Sequence, residues 1–361
     1  MKKKVMVGMS GGVDSSVAAA VLMKEGYDVI GVTLKLQPDT ENGSWSDTTC
    51  CSLVAVEDAR RVASKLGIPY YVLNFQDIFE SCVVEYFVAE YGKGRTPNPC
   101  IACNRYIKFD ALLKKAESMG IDYVATGHYA RIEYDEQKNR YLLKKSVTGK
   151  KDQTYVLYNL TQYQLQRTLM PIGRYDKDTV RDMAKELGFD VANKPDSQEI
   201  CFIPDNNYAA FITNKLGKPA QRGKFVDIHG NVLGEHKGLI HYTVGQRKGL
   251  GLSFGKPMYV IKIDAENNTV VLGEEKDVFS AGLTAFDLNW IAIDSLDGAL
   301  RVKAKIRYSA NEADAVITPI EGGKVRVDFD KPQRAVTPGQ SVVFYDGDIV
   351  VGGGIIERKD I

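Results

Sequence analysis

The stretch Val5-Met6-Val7-Gly8-Met9-Ser10-Gly11-Gly12-Val13-Asp14-Ser15-Ser16 decides the fold of this 361-residue chain. Residues 5–9 form an apolar run of strand length. Residues 13–24 then place apolar side chains three and four apart, and Gly26 follows as a helix stop. Between strand and helix lie two glycines, which allow close approach of backbone to a ligand. They sit at a helix N-terminus, where unpaired N–H groups and the positive dipole end favour an anion. The arrangement predicts a phosphate. A Walker loop needs a lysine and a hydroxyl residue after its last glycine, but Val13 follows Gly12, so a γ-phosphate grip of that type is excluded. Two glycines alone usually mean only a capped turn. Here the whole string, in strand–loop–helix context, carries the prediction.

Working outward, apolar runs at 29–36, 70–73 and 123–126 alternate with helix-period segments at 53–66 and 107–119, which end at Gly67 and Gly120. That rhythm belongs to a parallel sheet wrapped by helices, a doubly wound α/β domain. The run 122–126 ends at Gly127-His128, and ligands of open α/β sheets bind beyond the carboxyl ends of the strands. Residues 131–147 read as a hairpin and 177–187 as an amphipathic helix closed by Gly188. After Gly217 the pattern changes to short alternating strands with turn signals such as Asp346-Gly347-Asp348. The division expected is a catalytic α/β domain at 1–215, a small β domain at 216–280 and a second β module at 281–361, with a break at 279–283.

Hydrophobic residues at 44% and charged residues at 26% fit globular cores and exclude a disordered chain. The 47 basic and 46 acidic residues leave a formal charge of +1, so a nucleic-acid surface must be a local patch. No run approaches the roughly 20 apolar residues of a membrane span, and a soluble, cytoplasmic protein is expected. In that setting the six cysteines read as reduced thiols used for chemistry rather than as a disulfide framework.

Cys103 lies in Thr96-Pro97-Asn98-Pro99-Cys100-Ile101-Ala102-Cys103-Asn104, read as a stiff loop before a helix that begins near residue 107. A thiol at such a position has its pKa of about 8.5 lowered by the helix dipole, and thiolate is the nucleophile. Cys201 also sits in a loop, within Ile200-Cys201-Phe202. Cys82, inside a helical stretch, reads as a buried small hydrophobe, while Cys50 and Cys51 are undecided. Arg301-Val302-Lys303-Ala304-Lys305-Ile306-Arg307-Tyr308 alternates with period two, putting four basic side chains on one strand face with no acid between 299 and 310. An RNA backbone suits that face.

Six strings occur in order: Ser10 to Ser15, Asn98-Pro99 with Cys103-Asn104, Gly127-His128-Tyr129-Ala130, Lys151-Asp152-Gln153-Thr154-Tyr155, Ile200-Cys201-Phe202 and Val244-Gly245-Gln246-Arg247-Lys248. Together they resemble the tRNA-specific 2-thiouridylase family of the PP-loop ATP pyrophosphatases over essentially the entire chain. The resemblance implies an N-terminal domain like the adenine nucleotide alpha hydrolases, followed by two small all-β modules, the last a β-barrel that binds tRNA. It implies a sulfurtransferase that adenylates the wobble uridine of tRNA and replaces oxygen with sulfur from a cysteine persulfide. ATP, with Mg²⁺, would fall on Gly8, Met9, Ser10, Gly11, Gly12, Val13, Asp14, Ser15, Leu34 and Gly127. Cys201 resembles the persulfide cysteine, charged by a sulfur donor protein, and Cys103 the nucleophile; a disulfide between such a pair belongs to the same scheme. Contacts to tRNA would fall on Asn98, Pro99, Cys100, His128, Lys151, Asp152, Gln153, Arg307, Tyr308 and Gln340. No resident metal is implied.

In one respect the chain departs from the family. Many members carry an aspartate three residues before the nucleophile, where Cys100 stands here. That leaves its proton-handling role unassigned and opens an alternative, an iron–sulfur cluster on Cys100, Cys103 and Cys201. Two rival readings remain, an ammonia-using PP-loop synthetase, which needs no cysteine pair, and a non-catalytic RNA-binding adaptor with an inert loop.

Overall fold

The computed structural model describes residues 2–38, 53–195, 200–203, 205, 207–253 and 255–360. Cys50, Cys51 and the string Ser197-Gln198-Glu199 lie outside them. The chain forms two compact units, one of residues 1–83, 99–206 and 348–350, the other of 84–98, 207–347 and 351–361.

The first unit is built on five parallel strands: β1 (Lys4–Gly8), β2 (Asp28–Lys35), β3 (Tyr70–Asn74), β4 (Tyr123–Ala125) and, after the hairpin β5 (Ala130–Asp135) and β6 (Arg140–Lys145), the short β7 (Thr168–Leu169). Their order is β3-β2-β1-β4-β7, with the chain's first strand central, the order of a doubly wound sheet. Val5, Met6 and Val7 are fully buried because β1 is covered on both faces, which explains its unbroken apolar run. Helix α1 (Val13–Lys24) packs Val17, Ala18, Ala19 and Leu22 into that core, and α2 (Leu53–Leu66) adds Ala59, Val62 and Ala63. Burying valine, leucine or isoleucine side chains contributes about 1.5–3 kcal/mol each, so this layer dominates the unit's stability.

In the second unit, β8 (Gly223–Val226), β9 (Val232–His236), β10 (Tyr259–Asp264) and β11 (Thr269–Gly273) form a sheet ordered β10-β11-β8-β9 around Phe225, Tyr242, Val260 and Leu272. A single turn, Glu275–Val278, follows, its start held by a reciprocal cap between Glu274 and Asp277. Residues 279–283, where the break between the β modules is expected, begin β12 (Phe279–Trp290), with Leu283 and Ala285 packing inward. With β13 (Leu300–Lys305), β14 (Ala313–Ile320), β15 (Lys324–Arg334), β16 (Ser341–Asp346) and β17 (Ile349–Asp360), it closes a barrel: β12-β15-β14-β13-β16-β17 and back to β12. Closure gives each of these six strands a partner on both sides.

The period-two reading of β13 holds for the inward residues, since Val302, Ala304 and Ile306 are buried. The charged face needs correcting. Arg301 forms a two-pronged ion pair with Asp330, and Lys303 pairs with Asp314 at 2.9 Å. The acids that pair with them come from β15 and β14, so no count along β13 itself could reveal them.

Candidate active site

The glycine loop is held from several sides. Met9 N–H donates to Val32 O at 2.7 Å, continuing the sheet past Gly8, and the Thr33 hydroxyl donates to Met9 O at 2.7 Å. Ser10 N–H donates to the Ser15 hydroxyl at 3.1 Å, and the Ser16 hydroxyl donates to Gly12 O at 2.8 Å; both hydroxyl residues are buried. Gly12 caps α1 without a side-chain hydrogen bond, which leaves the helix's first N–H groups to another partner. Gly11 has φ +67°, and a Cβ there would stand 2.3 Å from Ala55 O, so only glycine lets the loop rest on α2. Val13 is buried, and Leu34 is the penultimate residue of β2, on the same carboxyl side, paired with Leu73.

Gly127 follows β4, and its role is packing against the loop itself: an added Cβ would lie 2.6 Å from both Asp14 C and Ser15 N. Asp14 points to neighbouring side chains. Its Oδ1 accepts from the Tyr129 hydroxyl at 2.7 Å, and Lys177 Nζ donates to Oδ1 and Oδ2, both at 2.8 Å. Tyr129 lies in the Gly127-His128-Tyr129-Ala130 string but has no assigned role there, and Lys177 opens the Lys177–Glu186 helix, far along the chain, where nothing local marks it.

His128 is 9% exposed, with Nδ1 2.6 Å from the Thr126 hydroxyl and its ring against Phe109 at 5.8 Å. Burial first, and then the Lys108 ammonium, push its imidazole well below the ordinary value, so it is neutral at physiological pH. A neutral imidazole can accept or donate a hydrogen bond but brings no charge.

The two candidate cysteines sit on different supports. Gln37, just beyond β2, donates to Cys201 O at 3.4 Å, and Phe202 packs edge-on against Phe79 at 5.8 Å. Upstream of Cys201, Lys194 pairs with Asp58 at 2.8 Å and reaches Gly11 O at 3.4 Å. Burial raises the Asp58 carboxyl, but Lys194 and Arg61 outweigh it and hold the group below its ordinary value. Cys103 corrects the sequence reading. The helix begins at Pro99, whose fixed φ suits a first helical position, and continues through the wider π-helical turns Cys103–Ala111. Exposed Cys100 therefore occupies the first turn, and Cys103, 8% exposed, lies one turn further in. The dipole effect falls off within the first turn, so it acts on Cys100 more than on Cys103. Asn104 donates to Val156 O at 2.9 Å, while its buried Oδ1 has no hydrogen-bond partner among the described residues.

The four described cysteines are not joined by a disulfide, and no three His, Cys, Asp or Glu side chains among the described residues converge as a metal-holding group. In the Lys151-Asp152-Gln153 string, Asp152 accepts from Ser146 N–H and the Thr154 hydroxyl, and Gln153 Oε1 accepts from Tyr129 N–H at 2.8 Å. Both residues thus brace the segment behind the loop. In the second unit, Gln340 donates to Thr96 O at 2.8 Å, close in sequence to Asn98. Tyr308 is exposed, with Lys305 over its ring at 5.7 Å. Arg307 is turned inward, donating to Val244 O at 3.0 Å, Ala335 O at 3.1 Å and the Thr337 hydroxyl.

A glycine loop between a central parallel strand and its helix places the first unit in the doubly wound α/β class, and family models match nearly the whole chain. A tRNA methyl transferase HUP domain matches residues 3–205, a PRC-barrel domain of the same series 209–274, and an aminomethyltransferase β-barrel domain 280–356. The tRNA-specific 2-thiouridylase MnmA of Acetivibrio thermocellus is 70% identical over 357 residues, covering 99% of both chains. The protein of the same name from Clostridioides difficile is 62% identical over 359 residues, again covering 99% of each. Likeness to a solved 4-thiouridine synthetase–RNA complex with bound ATP is remote, at 22% identity, TM-score 0.37, and 57% of this chain against 46% of that one. The chain belongs to the tRNA-specific 2-thiouridylase family and is a sulfurtransferase; the methyl-transfer wording of the domain models is not the activity its full-length relatives are named for.

Proposed function

We propose that this protein carries out ATP-dependent 2-thiolation of the wobble uridine of tRNA in the cytoplasm. ATP would lie along Gly8 to Ser15 with Leu34 and Gly127 beside it, its phosphates facing the uncapped N–H groups of α1. The uridine O2 attacks the α-phosphate, pyrophosphate leaves, and the oxygen becomes part of a good leaving group, AMP. The terminal sulfur of a Cys201 persulfide, supplied by a donor protein, displaces AMP at C2. The Cys103 thiolate then attacks Cys201 Sγ; the S–S bond breaks with its electron pair going to the sulfur now on the base, and a Cys103–Cys201 disulfide remains for an external thiol to reduce.

Mg²⁺ would lower the charge of the departing pyrophosphate. Asp14 already has both carboxylate oxygens engaged, so the phosphates rather than Asp14 would hold the ion. Residues 1–215 would act as the catalytic domain, with 216–280 and 281–361 assisting tRNA capture. Asn98, Pro99, Cys100, His128, Lys151, Asp152, Gln153, Arg307, Tyr308 and Gln340 would face or shape the RNA site; for Asp152, Gln153 and Arg307 the inward bonding favours shaping.

The observation that carries this reading is the attachment of the Cys201 segment to the glycine loop and the end of β2, through Lys194 to Gly11 and Gln37 to Cys201. ATP–pyrophosphate exchange in the presence of tRNA, measured beside sulfur incorporation, tests it. Cys201→Ala should retain exchange and lose thiolation. A Cys201→Ala protein that thiolates tRNA at the normal rate from the physiological donor refutes the persulfide route.

A further inference from the structure

We infer that Lys177 is a positioning residue whose charge cancels that of Asp14, so that the glycine loop can accept a polyanion, with Tyr129 fixing the pair's geometry. The inference rests on the nucleotide reading of the loop and deepens it. Asp14 occupies the first turn of α1, where N–H groups would meet the phosphates, and an uncompensated carboxylate there opposes the anion that the turn favours. Its negative charge is met at 2.8 Å on both oxygens by Lys177 Nζ, whose side chain is 9% exposed. The Tyr129 hydroxyl adds a neutral donor at 2.7 Å, and the Lys177 ammonium stands 5.8 Å from the Tyr129 ring.

The pair is rigid for a reason visible in the backbone. Gly127 packs directly on the Asp14–Ser15 peptide, so the turn has no room to swing toward β4. Lys177 enters from the start of its own helix, whose preceding Asp176 accepts from Thr179 N–H at 2.7 Å. Asp14 therefore acts as a fixed strut between α1 and the segments carrying Tyr129 and Lys177, and Lys177 makes that strut electrically neutral.

Calorimetric titration of ATP and of adenosine into the full chain tests this by separating charge from shape. Lys177→Met should weaken ATP about tenfold or more while leaving adenosine binding unchanged, because adenosine brings no phosphate to repel. The charge-balanced double variant Asp14→Asn with Lys177→Met should recover ATP binding to within about threefold of wild type. Tyr129→Phe, which removes a hydrogen bond but no charge, should cost about threefold or less. Circular dichroism establishes that each variant is folded, and the double variant still decides the matter if Lys177→Met alone is not. Equal loss of ATP and adenosine, or a double variant no better than Lys177→Met, overturns the inference. Wild-type protein that binds no ATP overturns the nucleotide reading instead.

Discussion

Replacing Gly127 with alanine probes the coupling between sheet and loop most directly. The added methyl would stand 2.6 Å from Asp14 C and Ser15 N and 3.0 Å from Asp14 Cβ, whereas ordinary contact begins at 3.4 Å. Something must move by about 0.8 Å, the difference between those two contact distances, and the obstacle is backbone rather than the end of a flexible side chain. Retreat of α1 is resisted on its other flanks, by Gly11 seated on Ala55 and by Asp14 held through Lys177 and Tyr129. Overpacking of this kind costs about 1–3 kcal/mol of stability. A displacement near 1 Å at a reacting group costs about 100-fold in rate. Gly127→Ala should therefore lower the urea midpoint and depress ATP–pyrophosphate exchange by about 100-fold. Gly120→Ala is the control: Gly120 has φ +68° and open space around it, so alanine there strains only a helix end, at about 1 kcal/mol, and leaves exchange intact. If Gly127→Ala unfolds and exchanges like wild type, the loop is not positioned by this contact.

Arg307→Ala should destabilise the protein by about 2–3 kcal/mol in urea titration, since it strips the donors from Val244 O, Ala335 O and the Thr337 hydroxyl. Weakened tRNA binding with unchanged stability would instead mark Arg307 as a direct phosphate contact. Stability should fall as pH drops below about 6.5: His128, His236 and His241 are all held below their ordinary value, each first by burial, so the unfolded chain binds more protons there. His128→Gln should lessen the decline in unfolding free energy between pH 7.5 and 5.5 by about 1 kcal/mol, and an unaltered pH profile would count against a buried neutral imidazole. Cys103→Ser should bind ATP like wild type yet fail to release thiolated tRNA, as read by mass spectrometry of the nucleosides; full turnover would remove Cys103 from the chemistry.

The linear chain alone determined whatever depends on neighbours in sequence. An apolar run, two glycines and a helix period within Val5 to Lys24 specify a strand, a loop and a helix, because each needs only local backbone preference and one face to bury. The inward residues of β13 were legible for the same reason, since side-chain alternation is a property of any strand. Interactions between residues far apart in the chain were not. Asp330 and Asp314 pair with Arg301 and Lys303 from other strands of the barrel, and Lys177 meets Asp14 across 163 positions of sequence. The helix carrying Cys103 starts earlier than its sequence suggests, because a proline-rich string has the composition of a loop while Pro99 suits a first helical turn once the rest of the helix is packed. Charge and burial are sums over everything nearby in space, so only the tertiary structure could decide which cations are spent on structure and which thiol sits in the first turn. Sequence order specified the loop; the folded neighbourhood decided what holds it in place.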